Sequence, residues 1–379
     1  MKRIVLLLMA LAAVTVPSAK GQEVPGIQAG PWICNTGEEE LTILWTSKLP
    51  GMAYVELEDG TILYETFAGR RIFQRLHSIT LNGLERGSLI RYCVGGQNLK
   101  DDSNAYNPVF GDSYAGEWHA VRTLDRKASS CRFSMFNDIH LRTKDYAALA
   151  AQVDSAHTDF LFMNGDIVTA GNYVLDTLVR YAVEPLGTLS NGLPIQFTRG
   201  NHEGRGNNPK LIADVFPTPF YYTFRQGPVA FIVFDAGETS ARRSVLYSGS
   251  EVYEDYLAGQ IEWARKAVRE PLFRKAPVKV CLVHVPMIDH EDKTDYLLQR
   301  WLNVHIVPLL NKAGVDLMIG ADLHEFMLCE PGTMNNRFPI LVNDDARRLD
   351  FDCSRGGPIR IKTYKADGTL EFQRDFPVR

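Results

Sequence analysis

A chain of 379 residues is long enough for two domains of ordinary size. Its 45% hydrophobic and 23% charged content is that of a globular protein, and a formal net charge of −4 excludes a role in coating nucleic acid while leaving room for a local basic pocket. The six cysteines include no CxxC pair, which argues against a zinc knuckle; their even number permits disulfides without fixing the pairing, and Cys281, inside an apolar run, reads as a buried thiol.

Residues 1–21 read as a secretion signal. Lys2 and Arg3 precede an apolar run from Ile4 to Val16 that is short for a membrane span. Pro17 ends the run, and Ala19 and Gly21 place small residues before a cleavage point at Gln22. The expectation is an exported protein, periplasmic, cell-surface or secreted; an uncleaved anchor is the alternative. No later segment is long and apolar enough to span.

From Pro25 to about Arg122 the pattern is all-β. Leu41–Trp45, Ala53–Leu57, Ile62–Tyr64, His77–Leu81 and Ile90–Val94 are short alternating runs, with an Asp59-Gly60 turn between two of them. Trp32 and Trp45 supply core volume for a small sandwich. No cluster of histidine with carboxylates is visible in it, so this region reads as a support or targeting domain. The polar stretch Leu124–Ser130 reads as a linker.

After the linker, strands alternate with helices. Strands are expected at Phe133–Phe136, Phe160–Met163, Leu193–Phe197, Ala230–Phe234, Val278–Val285 and Asp316–Ile319, with helices at 144–156, 173–183, 260–273 and 301–311. Such alternation predicts an α/β layered domain. From Phe326 the runs turn β-like again and predict that the chain finishes in a second sheet. The expected organisation is a signal peptide at 1–21, a β-sandwich at 22–124 and an α/β domain at 125–379.

Polar clusters follow five of these strands. Asp138 and His140 flank Ile139; i, i+2 spacing in an extended segment puts a carboxylate and an imidazole on one face. Gly165 lets the backbone turn and leaves Asp166 at a strand end, where its two oxygens can bridge two cations. Gly200-Asn201-His202-Glu203 offers an amide oxygen and an imidazole, with Glu203 placed to orient His202. His284 ends a strand, and Asp322 and His324 repeat the i, i+2 spacing. Each alone is a common turn or surface feature. Together, at strand carboxyl ends of one α/β domain, they predict a mixed N/O metal site of the kind that handles phosphate.

These residues resemble the signature of the calcineurin-like metallophosphoesterases: DxH at Asp138 and His140, GD at Gly165-Asp166, GNHE at Gly200–Glu203, a strand-end His284, and GHxH at Gly320–His324. The likeness covers about residues 130–345, and the preceding sandwich resembles the fibronectin-III-like domain of purple acid phosphatases. The resemblance implies two divalent or trivalent ions (Fe, Zn or Mn). Asp138, His140, Asp166 and His324 would hold one; Asp166, Asn201, His284 and Asp322 would hold the other. Asp166 would bridge them, and a hydroxide held there would attack the phosphoester. His202 would protonate the leaving group or contact the phosphate, as would Asn201, and Arg205 would bind a phosphate oxygen through its guanidinium fork. Arg199 and His290 are weaker candidates for that contact. Two departures stand out. Thr169 occupies the place of the purple enzymes' tyrosine ligand, while His140, which they lack, is present; the tyrosinate–iron chromophore is therefore not expected. Asp322 replaces the first histidine of GHxH, giving the second site harder ligands or a weaker grip.

The expected function is metal-dependent hydrolysis of a phosphate ester, with a phosphomonoester favoured. A phosphodiesterase with the same site, or an exported binding protein with a degraded metal site, are the alternatives. A serine hydrolase is disfavoured by the lack of G-x-S-x-G. The oligomeric state is not readable.

Overall fold

The computed structural model describes residues 26–169, 171, 173–238, 249–289 and 297–378; the expected signal sequence and His290 lie outside them. Among the described residues no helix is long and apolar enough to cross a membrane.

The N-terminal region is built on one 18-residue strand, Glu40–Leu57. Its first half pairs with Ile27–Cys34 on one side and Gln74–Asn82 on the other; its second half pairs with Ile62–Tyr64 and Leu89–Asp101, and the latter with Val109–Arg122. The register slips between Thr46 and Gly51, where Pro50 cannot donate to a ladder. The shift separates the two halves of the strand, which pair with different neighbours in one six-stranded sheet. Leu41, Ile43 and Trp45 from one half and Ala53 and Val55 from the other meet Ile79, Tyr92 and Val121 in a closed core. Trp32 does not join that core. It packs with Ala29 and Leu44 against the following region, and its Nε1 donates to Val215 O at 2.9 Å.

Contrary to the sequence expectation, the sandwich does hold a histidine–carboxylate cluster. Ser47 Oγ donates to Leu49 O at 2.6 Å and lies 2.9 Å from His77 Nε2, while His77 Nδ1 lies 2.8 Å from Glu65 Oε2. Glu65 Oε1 accepts from Gln74 Nε2 and Ser78 N. All three residues are buried. Glu65 is 12 positions from His77 and Ser47 is 30, so only the folded sandwich brings them together.

The remaining chain forms two six-stranded sheets packed face to face. The first runs Ile195–Thr198, Phe160–Asn164, Ser130–Asn137, Arg347–Ser354, Ile359–Tyr364, Leu370–Phe376. The second runs Tyr222–Gln226, Val229–Phe234, Val278–Val283, Leu317–Gly320, Ile340–Val342, Met327–Cys329. The strands after Arg347 therefore do not start a sheet of their own: Arg347–Ser354 pairs antiparallel with Ser130–Asn137 and extends the first sheet. Phe133, Phe160, Phe224, Phe231 and Phe351 fill the space between the sheets, with ring centroids 4.6–6.0 Å apart where they stack or meet edge-on. Helices Tyr253–Ala267 and Leu297–Ala313 cover the outside of the second sheet. Thr143–Ala150, Leu175–Ala182 and Lys210–Val215 cover the outside of the first, together with Trp32 of the sandwich. The helix expected at 260–273 begins earlier, at Tyr253, and stops at Ala267; a separate turn, Pro271–Arg274, follows because Pro271 lacks the amide needed to continue it.

In each sheet the strands that carry the polar clusters are parallel, so their carboxyl ends open on the same side.

Candidate metal centre

Asp138, Asp166, Asn201, His284 and Asp322 each lie one to three residues past the last residue of a parallel strand. The backbone there is not extended. Asp138, His140, Asp166, Asp322 and His324 all have left-handed φ, between +46° and +69°. The shared face expected from i, i+2 spacing in an extended segment is therefore not what is found: at left-handed turns Asp138 and His140 still come together, whereas Asp322 faces His284 and His324 faces Asp345. Non-glycine residues in this region cost energy and cluster where surrounding structure holds them for a purpose. Two glycines make room. A Cβ on Gly165 would lie 2.5 Å from the His284 ring, and one on Gly200 would overlap Asp166 Oδ1.

The side chains converge. Asp166 Oδ2 lies 3.4 Å from His284 Nε2, 3.7 Å from His140 Nε2 and 3.8 Å from His202 Nε2. Asp138 Oδ1 lies 3.7 Å from His140 Nε2 and 3.9 Å from His284 Nε2, and Asp322 Oδ1 lies 3.8 Å from His284 Nε2. Three groups have the spacing of a metal shell: Asp138, His140 and His324; His140, Asp166 and His202; Asp138, Asp166 and His284.

Several atoms at the centre have no hydrogen-bond partner. Asp138 Oδ1, His140 Nε2 and His284 Nε2 are buried without a hydrogen bond. Their other atoms are held. Asp138 Oδ2 accepts from Asn137 Nδ2 at 2.8 Å and Asp322 N at 3.1 Å. His284 Nδ1 donates to Asn164 O at 2.6 Å, which turns Nε2 toward the carboxylates. Asn201 turns Oδ1 toward Asp166 Oδ2 and Asp322 Oδ1, 3.1 Å from each. Reversing the amide makes these contacts hydrogen bonds and lets Oδ1 accept from Arg205 Nη2 at 2.9 Å, so Asn201 sits between the two carboxylates in either orientation. Buried polar atoms left unpaired are costly, and a shell of imidazole and carboxylate atoms around one point is what a bound ion would satisfy. The residues present fit a metal centre.

The charges are coupled. Burial pushes the Asp166 carboxyl up, but His284 and His202 beside it win and hold it at about 2. Burial pushes the His284 imidazole down, and Asp166 and Asp138 more than offset this, holding it well above its ordinary value. His140 is raised in the same way against burial by Asp138 and Asp166. His202 is lowered, first by burial, then by Arg205 and His140 against the pull of Asp166.

Glu203 does not orient His202. Its carboxylate accepts from Asp166 N, Ile167 N, Val168 N and Gly200 N at 2.7–3.3 Å, tying two strand-end loops together. Burial pushes it up to about 7. Arg205 closes a fork on Glu238, with Nε to Oε2 at 2.7 Å and Nη2 to Oε1 at 2.6 Å, and its Nη1 donates to His202 Nε2 at 3.0 Å. Arg199 pairs with Asp235 at 2.5 Å among Phe220, Tyr253 and Tyr256, as a packing element. Thr169 bonds to Tyr173.

Two further participants are absent from the sequence expectation. Asp345 lies 3.4 Å from His324 Nδ1 and is itself gripped by Arg142, whose Nη1 donates to Asp345 Oδ2 at 2.8 Å and whose Nη2 also bonds Asp138 O. Asn343 Nδ2 donates to Asn137 Oδ1 at 2.7 Å, bracing the residue before Asp138. Both follow the strand Ile340–Val342, so the rule that found the five clusters also applies to Asn343-Asp344-Asp345.

Two face-to-face sheets flanked by helices, with histidines and carboxylates at the mouths of the parallel strands, define a metal-dependent phosphoesterase. The family model of calcineurin-like phosphoesterases matches residues 131–326, more than half of the chain, and the chain belongs to that family, whose members use a dinuclear metal centre. It is a metal-dependent phosphoric ester hydrolase. No curated protein matches it. Among solved structures it is similar to a purple acid phosphatase from yellow lupin (Lupinus luteus) seeds, with a TM-score of 0.66 and 14% identity over 92% of this chain and 74% of that one. It is also similar to PhoD, with a TM-score of 0.61 and 10% identity over 95% and 94%. The anchor protein GAP50 of the Plasmodium inner membrane complex follows at 0.51 and 12%, over 66% and 90%. At these identities the likeness is one of fold, and with the first two it extends over the sandwich as well.

Proposed function

We propose that this chain is an exported phosphatase that hydrolyses phosphomonoesters at the strand-mouth cluster, using two ions drawn from Fe, Zn and Mn. The observation that carries the reading is the convergence of Asp138 Oδ1, His140 Nε2 and His284 Nε2, all buried and without a hydrogen bond, on the Asp166 carboxylate. Asp138, His140, Asp166 and His324 would hold one ion, and Asp166, Asn201, His284 and Asp322 the other. Bound there, the ions would lower the pKa of a water and neutralise charge on the phosphoryl oxygens.

The chain's own groups define the rest. Arg205 donates into His202 Nε2, which lies 3.8 Å from Asp166 Oδ2, and so positions the imidazole that would serve a leaving group or a phosphate oxygen. Arg205 gives its fork to Glu238 and acts on phosphate through His202 rather than as the main clamp. Asp322 brings an oxygen where the family motif has an imidazole, which makes the second site oxygen-rich and favours Mn or Fe over Zn there. The monoester preference rests on the shared sandwich-plus-phosphoesterase architecture of the lupin phosphatase. Division into a sandwich at 22–124 and a catalytic domain at 125–379, and export after cleavage near Gly21, complete the reading.

The test is hydrolysis of a nitrophenyl monoester and a bis-nitrophenyl diester by the chain from Gln22, loaded in parallel with Mn, Zn and Fe. Monoester turnover should exceed diester turnover, and Asp166→Asn should remove bound metal and both activities. The reverse ratio would make the protein a diesterase. A wild-type chain that binds no metal and turns over neither substrate would refute the catalytic reading.

A further inference from the structure

All six cysteines are buried thiols, but two of them face each other. Cys131, on the strand Ser130–Asn137, is directly opposite Cys353, on the antiparallel strand Arg347–Ser354. Directly opposed residues project from the same face of a sheet, and both side chains lie in the core between the two sheets. Opposed residues in an antiparallel ladder hold their Cα atoms about 4.5–5.5 Å apart. A disulfide spans roughly 4.4–6.8 Å between Cα atoms. The other cysteines lack such a partner. Cys281 and Cys329 share a row across the second sheet, but through Met318 and Ile340, three strand spacings or about 14 Å apart. Cys34 packs under the helices of the first sheet, and Cys93 lies on the sandwich strand Leu89–Asp101 with its Sγ on Gly116 O.

We propose that Cys131 and Cys353 close a cross-strand disulfide when the chain folds in an oxidising compartment, by exchange with a small-molecule or protein disulfide. One thiolate attacks the external disulfide and releases its first thiol; the second thiolate then attacks the mixed disulfide and releases the other. Two cysteine sulfurs are oxidised, one external disulfide is reduced, and the two protons leave on the released thiols. Burial pushes both thiols up, Cys353 to about 12 and Cys131 well above its ordinary value, and both are enclosed between the sheets, so exchange belongs to the stage before the sheets pack. The bond joins the strand that delivers Asp138 to the strand that leaves Asp345, and it closes a loop of roughly 220 residues, a length at which a cross-link restricts the unfolded chain strongly.

The experiment uses the full chain expressed into a bacterial periplasm, quenched in acid, denatured and alkylated with N-ethylmaleimide. Intact mass should show four alkylations without reduction and six after it, and peptide mapping should recover Cys131 linked to Cys353. Cys131→Ser should show five alkylations without reduction. The oxidised chain should melt several degrees above the reduced one. Refolding the purified chain with oxidised glutathione provides a second preparation with the same expected count. Six alkylations in the periplasmic sample, or a cross-link between other cysteines, would overturn the proposal.

Discussion

Among the described residues, two buried groups of histidine and carboxylate differ in what their atoms touch. In the sandwich, Ser47, His77 and Glu65 form a closed relay. The Ser47 proton goes to Leu49, both His77 nitrogens have partners, and Glu65 takes two further donors. In the strand-mouth cluster, Asp138, His140 and His284 each keep one buried atom without a hydrogen bond, all aimed at one region. The relay has the order of a hydrolytic serine–histidine–acid set, but it is buried throughout and its hydroxyl is committed to a carbonyl. Residue types alone would rank the two alike. Satisfied polar atoms mark a structural network, and unsatisfied ones converging on a point mark a site that awaits a ligand.

That contrast makes opposite demands on mutation. His77→Ala should remove one partner of a buried charge-assisted pair and cost about 3–5 kcal/mol of stability. Urea unfolding would measure the loss, and metal content per folded molecule should not change. A variant that lost metal but kept stability would erase the distinction between the two regions. Glu203→Gln probes a satisfied group inside the metal centre. The carboxylate accepts four backbone N–H groups, and an amide nitrogen in place of one oxygen would face donors with a donor. The expected cost is about 1–3 kcal/mol for the donors left unpaired, read by urea unfolding of the metal-free chain.

Much of the catalytic half was legible because strand mouths have a sequence signature. An apolar run marks the strand, and a glycine or polar residue after it marks the turn; this gave Asp138, Asp166, Asn201, His284 and Asp322 without reference to contacts. The left-handed backbone at Asp138 and Asp322 was not legible, since only the folded loops force it. Asn343 and Asp345 obey the same rule after Ile340–Val342, but that run reads as one of the β-like runs that follow Phe326 and not as a member of the parallel series. The relay was hidden for a different reason. Ser47, Glu65 and His77 are separated in sequence, and none follows an apolar run that ends in a turn motif; the pairing of Glu40–Leu57 with its neighbours is what gathers them. The β-like runs after Phe326 do not say which sheet they join: Met327–Cys329 and Ile340–Val342 lie in the second sheet, as expected, whereas the three strands from Arg347 extend the first. Pairing of Arg347–Ser354 with Ser130–Asn137 depends on residues more than 200 positions apart.

The smallest expected effect tests the boundary between the two kinds of network. Asp345 is satisfied by Arg142 yet lies against His324, a half-exposed histidine of the metal cluster, whose Nδ1 is 3.4 Å away. Burial raises the Asp345 carboxyl, but Arg142 and His324 hold it below its usual range, so it is a carboxylate at neutral pH. Its charge would orient the imidazole and strengthen it as a ligand. Asp345→Asn keeps the shape and the contact to Arg142 while removing that charge. Partners behind a metal-bound histidine typically contribute about 10–100-fold in affinity. Competition with a chelator should show weaker binding of the metal in that range, while the metal-free variant should melt close to the metal-free wild type. A loss of stability in the metal-free state with unchanged affinity would instead place Asp345 with the sandwich relay, as a group that holds the fold and does not serve the ion.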